Sequence, residues 1–420
     1  MKTEIKQRIE QIRRGEVPEG YVKTALGLAP ANWKRYTFGD IYTERKEPGD
    51  ENLPLLMVSI HSGVSDGEVD AAELPKQVKR IEDKSQYKKA VSGDLVFNMM
   101  RAWQGAIGTV RTTGMVSPAY IVAEPNDKAY PLFMDYYSRT PQMINQIDRQ
   151  SYGVTDFRKR LYWDSFAPIS CTLPPIEEQQ KIAAILTTQD RVIELKEKCL
   201  AEKQRQKKYL MQQLLTGKKR LPGSNGTWEK EKLGKCASMC SGGTPDTKNE
   251  KYYGNDYIWI SIKDMTSAGK YICSSERGLT EAGLLNCSAR LFPKGTILFA
   301  MYASIGECSI AETECCSSQA ILGIEPDSKL NNEFLYYLLS NSKGYFKSFG
   351  QASSQPNLNK GIVQSIVVQI PEIEEQAAIA EVLSTADREI ELLQQDIEQE
   401  KQKKKALMQL LLTGIVRVKI

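Results

Sequence analysis

One segment of this chain occurs twice, and that repeat limits the possible folds more than any other feature. Residues 174–217 read PPIEEQQKIAAILTTQDRVIELKEKCLAEKQRQKKYLMQQLLTG, and residues 371–414 read PEIEEQAAIAEVLSTADREIELLQQDIEQEKQKKKALMQLLLTG. The offset from Pro174 to Pro371 holds to the last residue without a gap, and about half the positions are identical. Each copy is predicted to be a long helix. The leading prolines end a preceding strand, because proline lacks an amide donor and disfavours helix before it. Glu177 and Glu178, like Glu374 and Glu375, then sit in the first turn and complement the helix dipole.

Apolar residues follow at alternating spacings of four and three. One seam reads Leu186, Ile193, Leu200, Lys207, Leu214, and its counterpart Leu383, Ile390, Ile397, Lys404, Leu411. The other seam reads Ile182, Gln189, Lys196, Lys203, Leu210, and its counterpart Ile379, Ala386, Leu393, Glu400, Leu407. That is heptad spacing, with polar seam residues able to fix register. Gly217 and Gly414 close the helices as C-terminal caps. About 40 residues at 1.5 Å each give a rod of roughly 60 Å.

The blocks between the repeats are fainter copies of one another. Trp33-Lys-Arg-Tyr-Thr-Phe-Gly39 answers Trp228-Glu-Lys-Glu-Lys-Leu-Gly234, and Gly93-Asp-Leu-Val-Phe97 answers Gly295-Thr-Ile-Leu-Phe299. Ser117, Ala119 and Glu124-Pro125 answer Ser318, Ala320 and Glu325-Pro326. Each block offers a helical stretch (132–147; 333–349) and a strand running into the proline (166–173; 362–370). The predicted organisation is an N-terminal helix and lead-in (1–30), a globular domain (31–173), a spacer helix (174–224), a second globular domain (225–370) and a second spacer helix (371–420). The fold class is α+β: two mixed α/β domains separated by two long helices packed as an antiparallel coiled coil, a pseudo-twofold repeat.

Composition argues against catalysis. A single histidine, His61, leaves no histidine triad or multi-histidine metal site. No phosphate-binding G-x-x-x-x-G-K-[ST] loop occurs. Ser117-Pro-Ala-Tyr120 lacks the second proline of an amino-methyltransferase motif and reads as a strand entry. Pro245-Asp246 and Pro326-Asp327 read as turns rather than nuclease motifs, and Trp163, Tyr257 and Trp259 as core residues in strands. The nine cysteines lack C-x-x-C spacing, so reduced thiols, no metal and a cytoplasmic location are expected. No run of 18 apolar residues and no apolar leader is visible, which predicts no membrane association.

The layout resembles the specificity subunit of type I restriction-modification systems over nearly the whole chain. The resemblance is carried by the twin P-x-I-E-E-Q…L-L-T-G segments, the paired G-D-L-V-F and G-T-I-L-F strands, and Gly350-Gln-Ala-Ser-Ser-Gln-Pro-Asn-Leu-Asn359 before the second repeat. It implies two target-recognition domains, each reading one half of an asymmetric bipartite site in double-stranded DNA. It implies that the helices carry two adenine-methyltransferase subunits, with restriction-translocase subunits joining the larger complex. No cofactor is expected on this chain; S-adenosylmethionine, ATP and Mg belong to the partners.

For DNA contact the candidates are polar loops whose donors reach phosphates and base edges. In the first domain these are Arg101, Gln104, Arg149, Gln150, Tyr152, Thr155, Arg158, Lys159 and Arg160. In the second they are Lys263, Tyr302, Ser304, Gln351, Ser354, Gln355, Asn357, Asn359 and Lys360. The domains are electrically balanced, with 18 basic and 18 acidic side chains over 31–173 and 14 of each over 225–370, so binding has to come from charges gathered on one face. Balanced domains also fit a different class, a non-catalytic two-headed protein-interaction scaffold on a coiled-coil rod. A methyltransferase fused into the same chain is disfavoured by the missing motifs. If the helices are a spacer, four residues (about one turn) inserted within 201–208 should change the gap between half-sites by methylation mapping. Altered half-site sequences would contradict the spacer role.

Overall fold

The computed structural model describes residues 3–24, 27–50, 52–60, 63–65, 86–153, 158–346 and 358–419. His61 lies outside them. Two compact units divide the chain, Met1–Lys196 with Asp396–Ile420, and Glu197–Gln395. The divisions fall inside the long helices, Ile176–Leu214 and Ile373–Leu412, rather than at their ends. Each unit thus holds part of both helices along with its own globular domain.

In the first unit a sheet runs in the order Tyr42–Glu44, Tyr120–Pro125, Leu95–Asn98, Ile107–Thr109, antiparallel throughout. A separate ribbon pairs Lys34–Thr37 with Ser170–Leu173, matching Leu173 to Lys34. In the second unit the order is Ala237–Ser241, Ile321–Pro326, Ile297–Ala300, Cys308–Ala311, extended by Tyr271–Ile272 running parallel. The equivalent ribbon pairs Glu229–Lys232 with Val367–Ile370. The faint sequence correspondence is therefore a shared strand order.

Two readings of the sequence need correcting. The stretch 132–147 is two helices, Pro131–Tyr137 and Pro141–Arg149, because Thr140 caps the second and Pro141 occupies its first position; its counterpart begins as Asn332–Asn341. The strands before the prolines are only four residues long, each preceded by a helical turn, Trp163–Phe166 or Lys360–Ser365. Trp163 therefore opens a helix rather than lying in a strand, though it packs against the core. Asp246 and Asp327 do form turns, accepting from the Lys248 and Lys329 amides.

Each core joins its sheet to the helices. Phe97, Phe133 and Phe166 pack with Ile182, Leu186, Leu411 and Leu412 in the first unit. Phe299, Phe334 and Val363 pack with Leu214, Leu215, Ile379 and Leu383 in the second. Gly217 and Gly414 adopt positive φ, and the flanking tryptophans Trp228 and Trp33 sit against them.

Within each unit the helix segments run antiparallel. In the first, Lys404 meets Asp190, Gln189 bonds Glu400 at 2.6 Å, and Lys196 bonds Asp396 and Glu400 at 2.8 and 3.0 Å. In the second, Lys203 bonds Glu389 at 2.7 Å and Lys207 pairs with Asp387. These are the polar seam positions. Half-exposed ion pairs each contribute only about 0–1 kcal/mol, so their role is register more than stability. Hydrogen bonds from Gln189, Lys196 and Lys403 hold the Glu400 carboxyl down at about 2. Its contribution is therefore present above the ordinary glutamate range and is lost as pH falls toward 2.

The joint between globular domain and helices is the same in both units. Tyr136 donates to Asp190 at 2.6 Å, and the Lys404 ammonium lies 5.6 Å from the tyrosine ring centroid. Tyr337 donates to Asp387 at 2.5 Å, with Lys207 at 5.8 Å from its ring. Burial and the aspartate together push the Tyr136 hydroxyl up to about 12, and raise Tyr337 in the same direction. Gln179 donates to the Lys128 and Pro174 carbonyls and accepts from the Tyr130 amide. Gln376 does the same with Lys329, Pro371 and Asn331. Glu178 and Glu375 do more than complement the dipole. Glu178, fully buried, takes both oxygens to Arg417 at 2.6 and 2.7 Å, and Glu375 takes the same bonds from Arg220. The arginines are about 30% exposed, so removing one partner of such a part-buried pair costs about 1–3 kcal/mol. Glu178→Gln should therefore lower stability in urea unfolding by about that amount, while exposed Glu177→Gln should stay within roughly 0.5 kcal/mol.

Candidate nucleic-acid interface

The first unit brings its predicted contacts together. The turn between strands Leu95–Asn98 and Ile107–Thr109 contains a short 3-10 helix, Ala102–Gln104. Arg101 and Gln104 are exposed on it, and Ala102 is buried beneath. Trp103 folds back, its indole nitrogen donating to the Met100 carbonyl at 3.0 Å. The helix Pro141–Arg149 packs beside this turn and ends with Arg149 and Gln150 exposed. The chain then leaves through Tyr152 and returns at Arg160, the two residues exchanging backbone bonds at 3.0 and 2.7 Å. Gly153 closes that neck. A Cβ there would lie 2.6 Å from the backbone of Arg158 and Lys159, so a larger residue would force the loop open. The Leu161 amide finally bonds the Met99 carbonyl at 2.8 Å, tying the returning chain to the first turn.

Arg101, Arg149, Arg158 and Arg160 are all exposed, and none makes an ion pair with the described residues. Exposed guanidiniums gathered in this way suit phosphate oxygens and guanine edges. Lys159 differs from them: it is half-buried and bonded to Asp148 at 2.8 Å. Tyr152 is 60% exposed, available for stacking or hydrogen bonding. Thr155 lies outside the described residues.

The second unit builds the equivalent turn with different side chains. Between strands Ile297–Ala300 and Cys308–Ala311 stand Tyr302 and Ser304, both half-buried, around exposed Ala303. Tyr302 packs partly against the core. Ala303, at φ 55°, is the one non-glycine residue with positive φ among the described residues, a conformation costly for a residue with a Cβ. The Leu358 amide bonds the Met301 carbonyl at 3.2 Å, matching the tie made by Leu161. Asn359 is exposed and uses its side chain to cap the helix Lys360–Ser365, accepting from the Ile362 amide at 2.9 Å. Lys360 is exposed in that helix's first turn.

Lys263 is on the separate helix Ile262–Ala268 and bonds Glu276 at 2.6 Å, a contact that raises its affinity for the proton. Its charge is matched within the domain. Gln351, Ser354, Gln355 and Asn357 lie outside the described residues. Residue types had not pointed to Lys343, which pairs with Glu307 at the end of the turn, or to Asp148 and Trp103. Their partners are 36, 11 and 56 positions away in sequence, beyond the reach of local pattern.

Trp259 is buried and donates to the Gly243 carbonyl, and Tyr257 packs beside it, so both are structural. All nine cysteines are free thiols. No group of three or more His, Cys, Asp or Glu side chains among the described residues could hold a metal ion, and none of the described helices is long and apolar enough to cross a membrane.

Comparison with known proteins agrees with this organisation. The model of the type I restriction modification DNA specificity domain matches residues 72–203 and 225–402. The type I restriction enzyme MjaIX specificity subunit of Methanocaldococcus jannaschii is 36% identical over 167 residues, 39% of each chain. The MjaVIII specificity subunit of the same organism is 26% identical over 363 residues, covering 80% of this chain and 83% of that one. The crystal structure of the HsdS subunit from Thermoanaerobacter tengcongensis shares the fold at a TM-score of 0.52 and 20% identity, over 92% of this chain and 98% of that one. Matched by the family's model over most of the first globular domain, all of the second and most of both long helices, this chain belongs to the type I restriction-modification DNA specificity family.

Proposed function

We propose that this chain selects the DNA target of a type I restriction-modification complex, each unit reading one half of an asymmetric two-part site. The observation that carries this reading is a shared scaffold with a changed surface. Both units keep the same strand order, the same ties from Met99 to Leu161 and from Met301 to Leu358, and the same Tyr–Asp–Lys joint. At the equivalent turn, however, one presents Arg101 and Gln104 and the other Tyr302 and Ser304. Selection for stability alone would not require such different side chains at the same turn of the same frame, exposed in one unit and half-buried in the other. Recognition of two different half-sites does.

The helix segments repeat the same exposed residues in both units, including Thr188, Arg191 and Leu195 in one and Thr385, Arg388 and Leu392 in the other. Equivalent surfaces fit two copies of one methyltransferase subunit. In this reading the present chain does no chemistry. S-adenosylmethionine is used by the methyltransferase, ATP and Mg by a restriction-translocase, and the complex works in the cytoplasm. The chain's own contribution is to bind and orient the duplex.

The double substitution Arg158→Ala and Arg160→Ala tests the interface. A side chain that neutralises one phosphate contributes roughly 0.9 to the slope of log K against log salt, so removing both arginines should lower that slope by about 1–2. The check is duplex binding by the full chain with its methyltransferase partner across a salt series. An unchanged slope would remove this loop from the interface.

A further inference from the structure

Lys159 stands apart from the cations around it. Arg158 and Arg160 on either side are exposed, whereas its own side chain is 22% exposed and its ammonium is engaged, two of its partners coming from other segments. One is the Asp148 carboxylate at 2.8 Å, at the C-terminal end of the helix Pro141–Arg149. The other is the face of Trp103, whose ring centroid is 5.5 Å from Nζ. Trp103 belongs to the 3-10 turn that presents Arg101 and Gln104. Through this one side chain the returning segment 158–160 meets both the turn 101–104 and the helix end at 148–150, the segments that carry Arg101, Gln104 and Arg149.

From this geometry we infer that Lys159 is a positioning residue of the first half-site interface and not one of its phosphate contacts. Pairing with a carboxylate and stacking over an indole fix the distance between the turn and the returning strand. Base readout depends on that distance, because a bidentate contact to a base edge tolerates little displacement. Phosphate attraction depends on it weakly, because a charge attracts the backbone wherever along it the charge lies. The inference rests on the DNA-recognition reading above and assigns a role within it.

The two roles predict opposite signatures. The full chain with its methyltransferase partner is measured on a duplex selected from a random pool by the wild-type complex, and on the unselected pool, across a salt series. For Lys159→Met, which keeps the apolar stem, a positioning role predicts about a tenfold fall in preference for the selected duplex with the salt slope unchanged. Lys159→Arg, able to pair and stack in the same place, should restore most of that preference. A phosphate contact predicts the reverse, a slope lower by roughly 0.9 with the preference intact. That result, or no change in either quantity, overturns the inference.

If thermal melting shows that Lys159→Met does not fold, Asp148→Asn decides instead. A positioning role predicts lost preference. A phosphate role predicts tighter binding with preference retained, because the ammonium is released toward the DNA. A wild-type complex that selects no duplex sequence from the pool would overturn the recognition reading itself, and this assignment with it.

Discussion

In each unit a single aspartate sits where three elements meet. Asp190 accepts from the Tyr136 hydroxyl of the globular domain and pairs with Lys404 of the other helix, and Asp387 does the same with Tyr337 and Lys207. Each lysine also lies over its tyrosine ring. A carboxylate that must satisfy a hydroxyl and an ammonium at once fixes the domain's position on the helix pair and the register of that pair together. Apolar packing of Leu186 or Leu383 alone would tolerate sliding by a turn, since leucines recur along the seam. Everything the domain shows to solvent is referred to that joint.

The value of such a joint lies in what may vary around it. With the frame fixed by buried contacts, the exposed turn between the third and fourth strands of each sheet is free to change. One unit holds Arg101, Trp103 and Gln104 there; the other holds Tyr302, Ala303 and Ser304. The bound guanidiniums of Arg220 and Arg417 serve buried glutamates, whereas those of Arg101, Arg149, Arg158 and Arg160 meet solvent. Side-chain chemistry is thus divided between holding the frame and facing solvent.

Much of the frame was legible in the sequence because it repeats. The heptad seams, the capping glycines and the strand pairs around Gly93 and Gly295 all stood out by comparison of the chain with itself, and the lysines at polar seam positions do set cross-helix register. Local signals were misleading where two of them competed. Pro141 marked a helix start inside what read as one helix, and the helical turns Trp163–Phe166 and Lys360–Ser365 were hidden in patterns that also suit strands. The loop bearing Arg149 to Arg160 was recognisable as a set from its residue types. The separate fate of Lys159 was not, because exposure depends on Asp148 and Trp103 arriving from different segments. Arg417 reaching Glu178 across 239 positions is likewise a product of the folded topology, which pattern along the chain does not encode.

The central claim is that one chain with two unlike domains specifies one two-part DNA site. It is tested most directly by mapping methylated adenines genome-wide, with and without this gene, in cells expressing the methyltransferase partner. The account predicts a motif of two different half-sites at a fixed gap that disappears when the gene is deleted. Identical maps in the two strains would contradict it.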